Sequence, residues 1–231
     1  MNDSQKQLEH LAEMRSLMER STRFLSLSGL SGVWAGICAL VGAFFVRNYL
    51  DALYLGKYNA DDVYADRSGP VSNDGLGYET TLILAALTVL VAALVGGLFF
   101  TARKARLRDE RVWDASSRRL LWALLVPLMT GGMFCLALLY WNLIGFLAPA
   151  TMVFYGLALL NGSKYTLGDV GSLGLFQIAI GLAGMFFPGY GLELWAVGFG
   201  FLHIFYGTWM YYKYDAGNKI SANTSAQQPP G

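Results

Sequence analysis

The sequence predicts an all-α, polytopic transmembrane bundle of about six spans with both termini inside, and three observations predict it. Six apolar stretches of 15 to 23 residues, Phe24 to Val46, Thr80 to Thr101, Leu120 to Trp141, Phe146 to Leu160, Ser172 to Phe187 and Leu192 to Tyr212, are separated by polar connections. At ~1.5 Å per helical residue they measure ~22 to 35 Å, bracketing a hydrocarbon core of about 30 Å. Charged residues make up only 14% of the chain against 55% hydrophobic, where a soluble domain devotes about a quarter of its residues to charge. Finally, the basic residues segregate to alternate connections.

That segregation sets the orientation. Lys6, Arg15, Arg20, Arg23, Arg103, Lys104, Arg106, Arg108, Arg111, Arg118, Arg119, Lys164, Lys213 and Lys219 fall on one side, fourteen of the seventeen lysines and arginines. Arg47, Lys57 and Arg67 fall on the other. The positive-inside rule then places both termini in the cytoplasm. The 47–79 connection becomes the main exterior loop, mildly acidic through Asp51, Asp61, Asp62, Asp66, Asp74 and Glu79.

With roughly half of 231 residues inside the bilayer, too few remain for a separate soluble domain, which lowers the expectation of an enzyme. Cys38 and Cys135 lie midway along apolar spans, where a thiol behaves as a small hydrophobe. Neither a disulfide nor a metal cluster is expected. The segment MNDSQKQLEHLAEMRSLMERS has no apolar core and mixed charge, so it does not read as a cleavable signal peptide. The first span acts as the insertion signal.

Residues 1–23 read as a cytoplasmic amphipathic helix, with Leu11, Met14, Met18 and Leu25 recurring at helical spacing and Glu19 and Arg23 at the favourable i,i+4 separation. Such a helix lies on the membrane surface or against the bundle, the alternative being a dimeric coiled coil, which about two heptads make marginal alone. The membrane domain spans 24–212, and its first span carries two rows of small residues, Ser28, Gly32 and Gly36 beside Ser31, Ala35, Ala39 and Ala43. Helices in lipid associate through such close contacts, because apolar burial supplies no drive there. Gly174, Gly181 and Gly184 in the fifth span and Gly200 and Gly207 in the sixth repeat the pattern. A weak internal similarity links the stretch from Gly29 with that from Gly171, a parallel relation if it is a repeat.

The 102–119 connection is the strongest charge feature, with seven bases against Asp109, Glu110 and Asp114. Juxtamembrane bases fix topology and attract anionic lipid at about 1 kcal/mol each. Anionic lipid is therefore the expected partner there, with Arg103, Lys104, Arg106 and Arg108 also available to a protein partner or second copy. No nucleic acid is expected. In the 161–169 connection, Asp169 either pairs with Lys164 or caps the fifth helix, and the cap is the preferred reading. Residues 213–231 read as a disordered cytoplasmic tail.

Polar groups inside apolar spans are expensive and are the natural candidates for function. Glu193 opens the sixth span, His203 lies mid-span with Tyr206 nearly one turn on, and Gln177 is midway along the fifth. At ~100° per residue Glu193, Gly200, Gly207 and Tyr211 share a line, and Gln177 shares one with Gly174, Gly181 and Gly184. Facing each other, the two lines enclose a small polar cavity; otherwise these residues are interhelical hydrogen-bond partners. No catalytic residue or cofactor is expected. Haem needs a second axial ligand that His10 cannot supply from outside the membrane, zinc lacks its ligand spacing, and no GxSxG, HExxH or phosphate loop occurs.

The runs FYGLALLNGSKYTLGDVGSLG from Phe154, FFPGYG from Phe186 and GFGFLHIFYGTWMYYKYD from Gly198, with RFLSLSGLSG at Arg23, resemble a group of small, uncharacterised six-span bacterial membrane proteins. The resemblance implies a bacterial inner membrane but no activity, substrate or cofactor. The function expected is that of a regulatory, sensory or accessory subunit acting through its cytoplasmic surface. The alternative is a small-solute or ion transporter using Glu193, His203 and Gln177.

Overall fold

The computed structural model describes residues 28–54, 78–107 and 115–216, which are all-helical with no strand among them. Leu11, Met14, Met18, Arg108, most of the 47–79 loop and the tail from residue 217 lie outside the described residues. The helices are α1 (Gly29–Tyr54), α2 (Tyr78–Leu107), α3 (Ala115–Tyr140), α4 (Leu147–Gly162), α5 (Asp169–Gly184) and α6. The last is composite: α-helical Gly191–Trp195 and His203–Met210 alternate with the π-helical segments Ala196–Leu202 and Tyr211–Ala216. Short 3-10 turns at Ile144–Phe146, Ser163–Tyr165 and Pro188–Tyr190 join the later helices.

Four runs, Gly29–Tyr49, Thr80–Leu107, Ala115–Tyr140 and Ile144–Tyr165, are long and apolar enough to cross a membrane. α5 is apolar but has 16 residues, ~24 Å at helical rise. Helical structure also runs into the polar connections. α1 continues through Arg47 and Asn48 to Tyr54, with the Asn48 amide donating to the Phe44 carbonyl at 2.8 Å, and α2 carries Arg103, Lys104 and Arg106 in its last turns.

Two local devices shape α3. Pro127 has no N–H and leaves the carbonyl four residues back without its helical donor. That carbonyl, on Ala123, accepts instead from the Asn161 side-chain amide of α4 at 2.9 Å, so a neighbouring helix restores what the proline removes. At the far end Asn142 adopts φ 55°, while Leu143 N–H donates to Leu138 and Asn142 N–H to Leu139. This is a Schellman termination with asparagine in the left-handed position that glycine usually takes.

Small residues set the packing. α1 meets α6 along Gly29, Gly32 and Gly36 against Gly207 and Gly200; a Cβ on Gly207 would lie 2.5 Å from Val33 N, and one on Gly36 2.7 Å from Gly200 O. α4 meets α5 reciprocally, a Cβ on Gly156 lying 2.6 Å from Gly174 O and one on Gly174 2.7 Å from Gly156 O. α2 leans on α1 through Trp34, whose indole N–H donates to Ala92 O at 2.9 Å over Gly96. α3 leans on α4, where Gly131 accommodates Phe154. The outer face of α2 exposes Leu87, Leu90, Leu94, Val95 and Leu98.

These contacts make successive helices antiparallel, so one end of the bundle collects the starts of α1, α3 and α5 and the ends of α2, α4 and α6. There Lys213 donates to both carboxylate oxygens of Asp169 at 3.1 and 2.9 Å. At the other end Arg47 pairs with Glu193 at 2.6 Å.

Candidate functional site

Three of the four candidate residues, Glu193, His203 and Tyr206, sit along α6, and its π segment determines what His203 meets. A π segment widens the helical turn and releases carbonyls from the regular ladder. The Gly198 carbonyl, inside that segment, takes the His203 Nδ1 at 3.0 Å. Since a carbonyl only accepts, Nδ1 carries the proton. Nε2 then accepts from the Tyr155 hydroxyl of α4 at 2.9 Å. Both ring nitrogens of buried His203 are thus engaged within the bundle. Phe199 stacks on the imidazole at 5.8 Å and 14°, and itself contacts Tyr155 at 4.9 Å and Trp195 at 5.0 Å.

Gln177 reaches the same region from α5 and is fully buried. Its Oε1 lies over Gly198, where a Cβ would stand 2.5 Å away, with Met152 Sδ alongside at 2.8 Å from that position. Neither amide atom of Gln177 has a hydrogen-bond partner among the described residues. The structure thus brings Gln177 and His203 together across Gly198.

Glu193 and Tyr206 lie elsewhere. Glu193 is ten residues from His203 on the same helix, ~15 Å along the axis, half-exposed and paired with Arg47 of α1. Tyr206 packs on Phe176 at 6.3 Å and beside the Leu159, Leu173 and Met210 cluster. The hydroxyl partner of His203 is Tyr155 rather than Tyr206. Nor do the two glycine rows face each other: Gly200 and Gly207 turn to α1, while Gly174 and Gly181 turn to α4. From the α5 row, Gln177 reaches Gly198 of α6, and Gly184 lies beside Leu194 of α6 as well as Pro149 of α4.

At the basic end, Arg103 and Arg106 are exposed and Lys104 is buried. Asp169 does not cap α5: Gly168 occupies the N-cap, no side chain caps it, and the Asp169 carboxylate pairs with Lys213 rather than Lys164. That hydrogen bond to Asp169 is the main reason the Lys213 ammonium titrates above the ordinary lysine range. Between the start of α3 and the end of α4 lies a recess of about 410 Å³, lined by Ala115, Arg118, Arg119, Trp122, Ala123, Asn161 and Tyr165. Arg118 and Arg119 have no ion-pair or hydrogen-bond partner among the described residues, and no three potential metal ligands converge there or elsewhere among them.

Sequence reasoning missed Tyr155, Arg47 as the partner of Glu193, and Asn161. Tyr155 carried a signal, being a hydroxyl in the middle of an apolar span, but tyrosine is common enough in such spans to pass as packing. Arg47 counted only toward topology. No protein-family model, curated protein or solved structure matches the chain.

Proposed function

We propose that the protein is a six-span integral protein of a bacterial inner membrane, both termini inside, acting as a non-enzymatic regulatory, sensory or accessory subunit through its cytoplasmic surface. The observation that carries this reading is that the intramembrane ionisable groups are spent on the fold. His203 is saturated by Tyr155 and Gly198, and Glu193 is held by Arg47. The exposed cations Arg103, Arg106, Arg118, Arg119 and Lys164 gather instead at one end, where a partner or anionic lipid can reach them. α5 and α6 complete the span count in this reading: α5 is short but apolar apart from Asp169, Ser172 and Gln177, and α6 pairs with α1 along its glycines.

Purification from native membranes in mild detergent tests it. A stoichiometric protein partner or homo-oligomer is expected, and it is lost when residues 1–21 are deleted or when Arg103→Gln and Arg106→Gln are combined. Isolation of the wild-type chain alone, or association untouched by both changes, contradicts the reading.

A transporter of a small polar solute or ion is favoured by one observation, the unpartnered amide of Gln177 beside His203. Gln177→Leu separates the two. An amide that merely lacks a partner is replaced by an apolar group at no loss of stability, or with a gain of about 1 kcal/mol. An amide that contacts solute loses vesicle uptake on the same replacement.

A further inference from the structure

The recess at the basic end is built by one face of α3. Ala115, Arg118, Arg119, Trp122 and Ala123 recur at three, four, seven and eight residues, so all five side chains point the same way. Opposite them, Asn161 and Tyr165 are one turn apart on the end of α4 and its following turn. The floor is fixed, because the Asn161 amide is committed to the Ala123 carbonyl that Pro127 set free. At about 410 Å³ the space falls within the ~300 to 1,000 Å³ of small-molecule sites.

Two consecutive arginines, Arg118 and Arg119, line this space with Tyr165 and Trp122, and no carboxylate among the described residues pairs with them. Guanidinium forks match the oxygens of a phosphate bidentately. A membrane source is favoured by what continues from the recess. Trp122 begins a row on α3 with Val126, Met129 and Met133, at helical spacing and between 60% and 67% exposed, so an apolar track runs from the cationic site toward the middle of the helix. A soluble phosphate has no use for such a track, whereas an acyl chain does.

We propose that the recess binds the phosphate of an anionic phospholipid, Arg118 and Arg119 holding the headgroup, Tyr165 donating to it, and an acyl chain lying along Trp122, Val126, Met129 and Met133. This deepens the lipid contact assigned to the cytoplasmic surface and rests on that end facing the anionic leaflet. The site is a defined one, distinct from the diffuse attraction of a basic connection.

Native mass spectrometry of the full chain in detergent, titrated with phosphatidylglycerol and with phosphatidylcholine, tests it. The wild-type chain is expected to retain one phosphatidylglycerol in preference to phosphatidylcholine. Arg118→Gln with Arg119→Gln weakens that first event by about tenfold or more, the scale of a lost charge-assisted hydrogen bond. Arg103→Gln with Arg106→Gln, which removes the same charge from α2, leaves it unchanged. If the glutamine pair fails to fold, Arg118→Lys with Arg119→Lys keeps the charge but loses the forks, and a several-fold loss is still expected.

Equal retention by the wild type and either recess variant overturns the proposal, as does equal loss in the α2 variant, which would mean diffuse charge. Binding of inorganic phosphate without phosphatidylglycerol selectivity overturns the lipid source and leaves a soluble phosphate site. The partner complex is scored separately by deleting residues 1–21, which removes none of the residues that line the recess, so loss of one assignment is not loss of the other.

Discussion

The Ala123 carbonyl is a small test of how this bundle tolerates a proline in α3. Removing the N–H at Pro127 leaves an acceptor that would cost about 1 to 3 kcal/mol if buried unpaired. Asn161 supplies the missing donor from another helix. Asn161→Leu is therefore expected to destabilise by about 1 to 3 kcal/mol in the Pro127 chain and by much less in a Pro127→Ala background, where the residue 127 N–H reclaims the carbonyl. A double-mutant cycle followed by thermal or SDS unfolding measures this coupling, and equal costs in both backgrounds contradict it. At this scale the sequence marks the rare polar residues well. Gln177 and His203 stand out in apolar spans and do meet at Gly198. The partner of His203, Tyr155, and that of the Ala123 carbonyl, Asn161, are not legible, because both are chosen by the register between helices, which one chain's periodicity does not contain.

Between elements, glycine decides how near two backbones come, and its positions divide into two kinds. Gly29, Gly156, Gly174 and Gly207 face backbone atoms that no rotamer change can move aside, whereas Gly97 and Gly132 have nothing within 4 Å of an added Cβ. Gly207→Ala and Gly174→Ala are expected to cost at least the ~1 to 3 kcal/mol of an overpacked contact and to lower the yield of folded protein. Gly97→Ala and Gly132→Ala are expected to be neutral or to stabilise by up to about 1 kcal/mol, since alanine is the better helix former. Unfolding curves of these four variants check the ordering, and similar losses at all four sites contradict it. The glycine rows are legible as close-packing surfaces, but not which helix each faces. The row of α6 turns to α1 and that of α5 mainly to α4, so of the two readings of these rows the cavity between them gives way to the direct seat of Gln177 on Gly198.

Over the whole molecule, the all-helical class and the succession of apolar helices were readable from hydropathy alone, because a span is a property of twenty consecutive residues. Helix ends were less readable. α1 and α2 extend into polar connections, since a helix does not stop where the hydrocarbon does, and the π segments of α6 have no composition signal that sets them apart. The antiparallel order places Arg47 and Glu193 at one end and Asp169, Lys213, Arg118 and Asn161 at the other. Two assignments depend on this polarity, the cytoplasmic working surface and the lipid recess. Both require the basic end to lie inside and α5 and α6 to cross.

The most direct test is cysteine accessibility in a chain with Cys38 and Cys135 replaced by alanine. Single cysteines are placed by Trp141→Cys, Lys164→Cys, Tyr190→Cys and Lys213→Cys and treated with a membrane-impermeant maleimide in sealed vesicles of both orientations. Labelling of positions 141 and 190 from the exterior, and of 164 and 213 only from the cytoplasmic side, is the predicted result. Labelling of 190 from the same side as 164 would mean that α5 and α6 do not cross, and reversal of all four would put the basic end outside; either contradicts a cytoplasmic working surface on a six-span bundle.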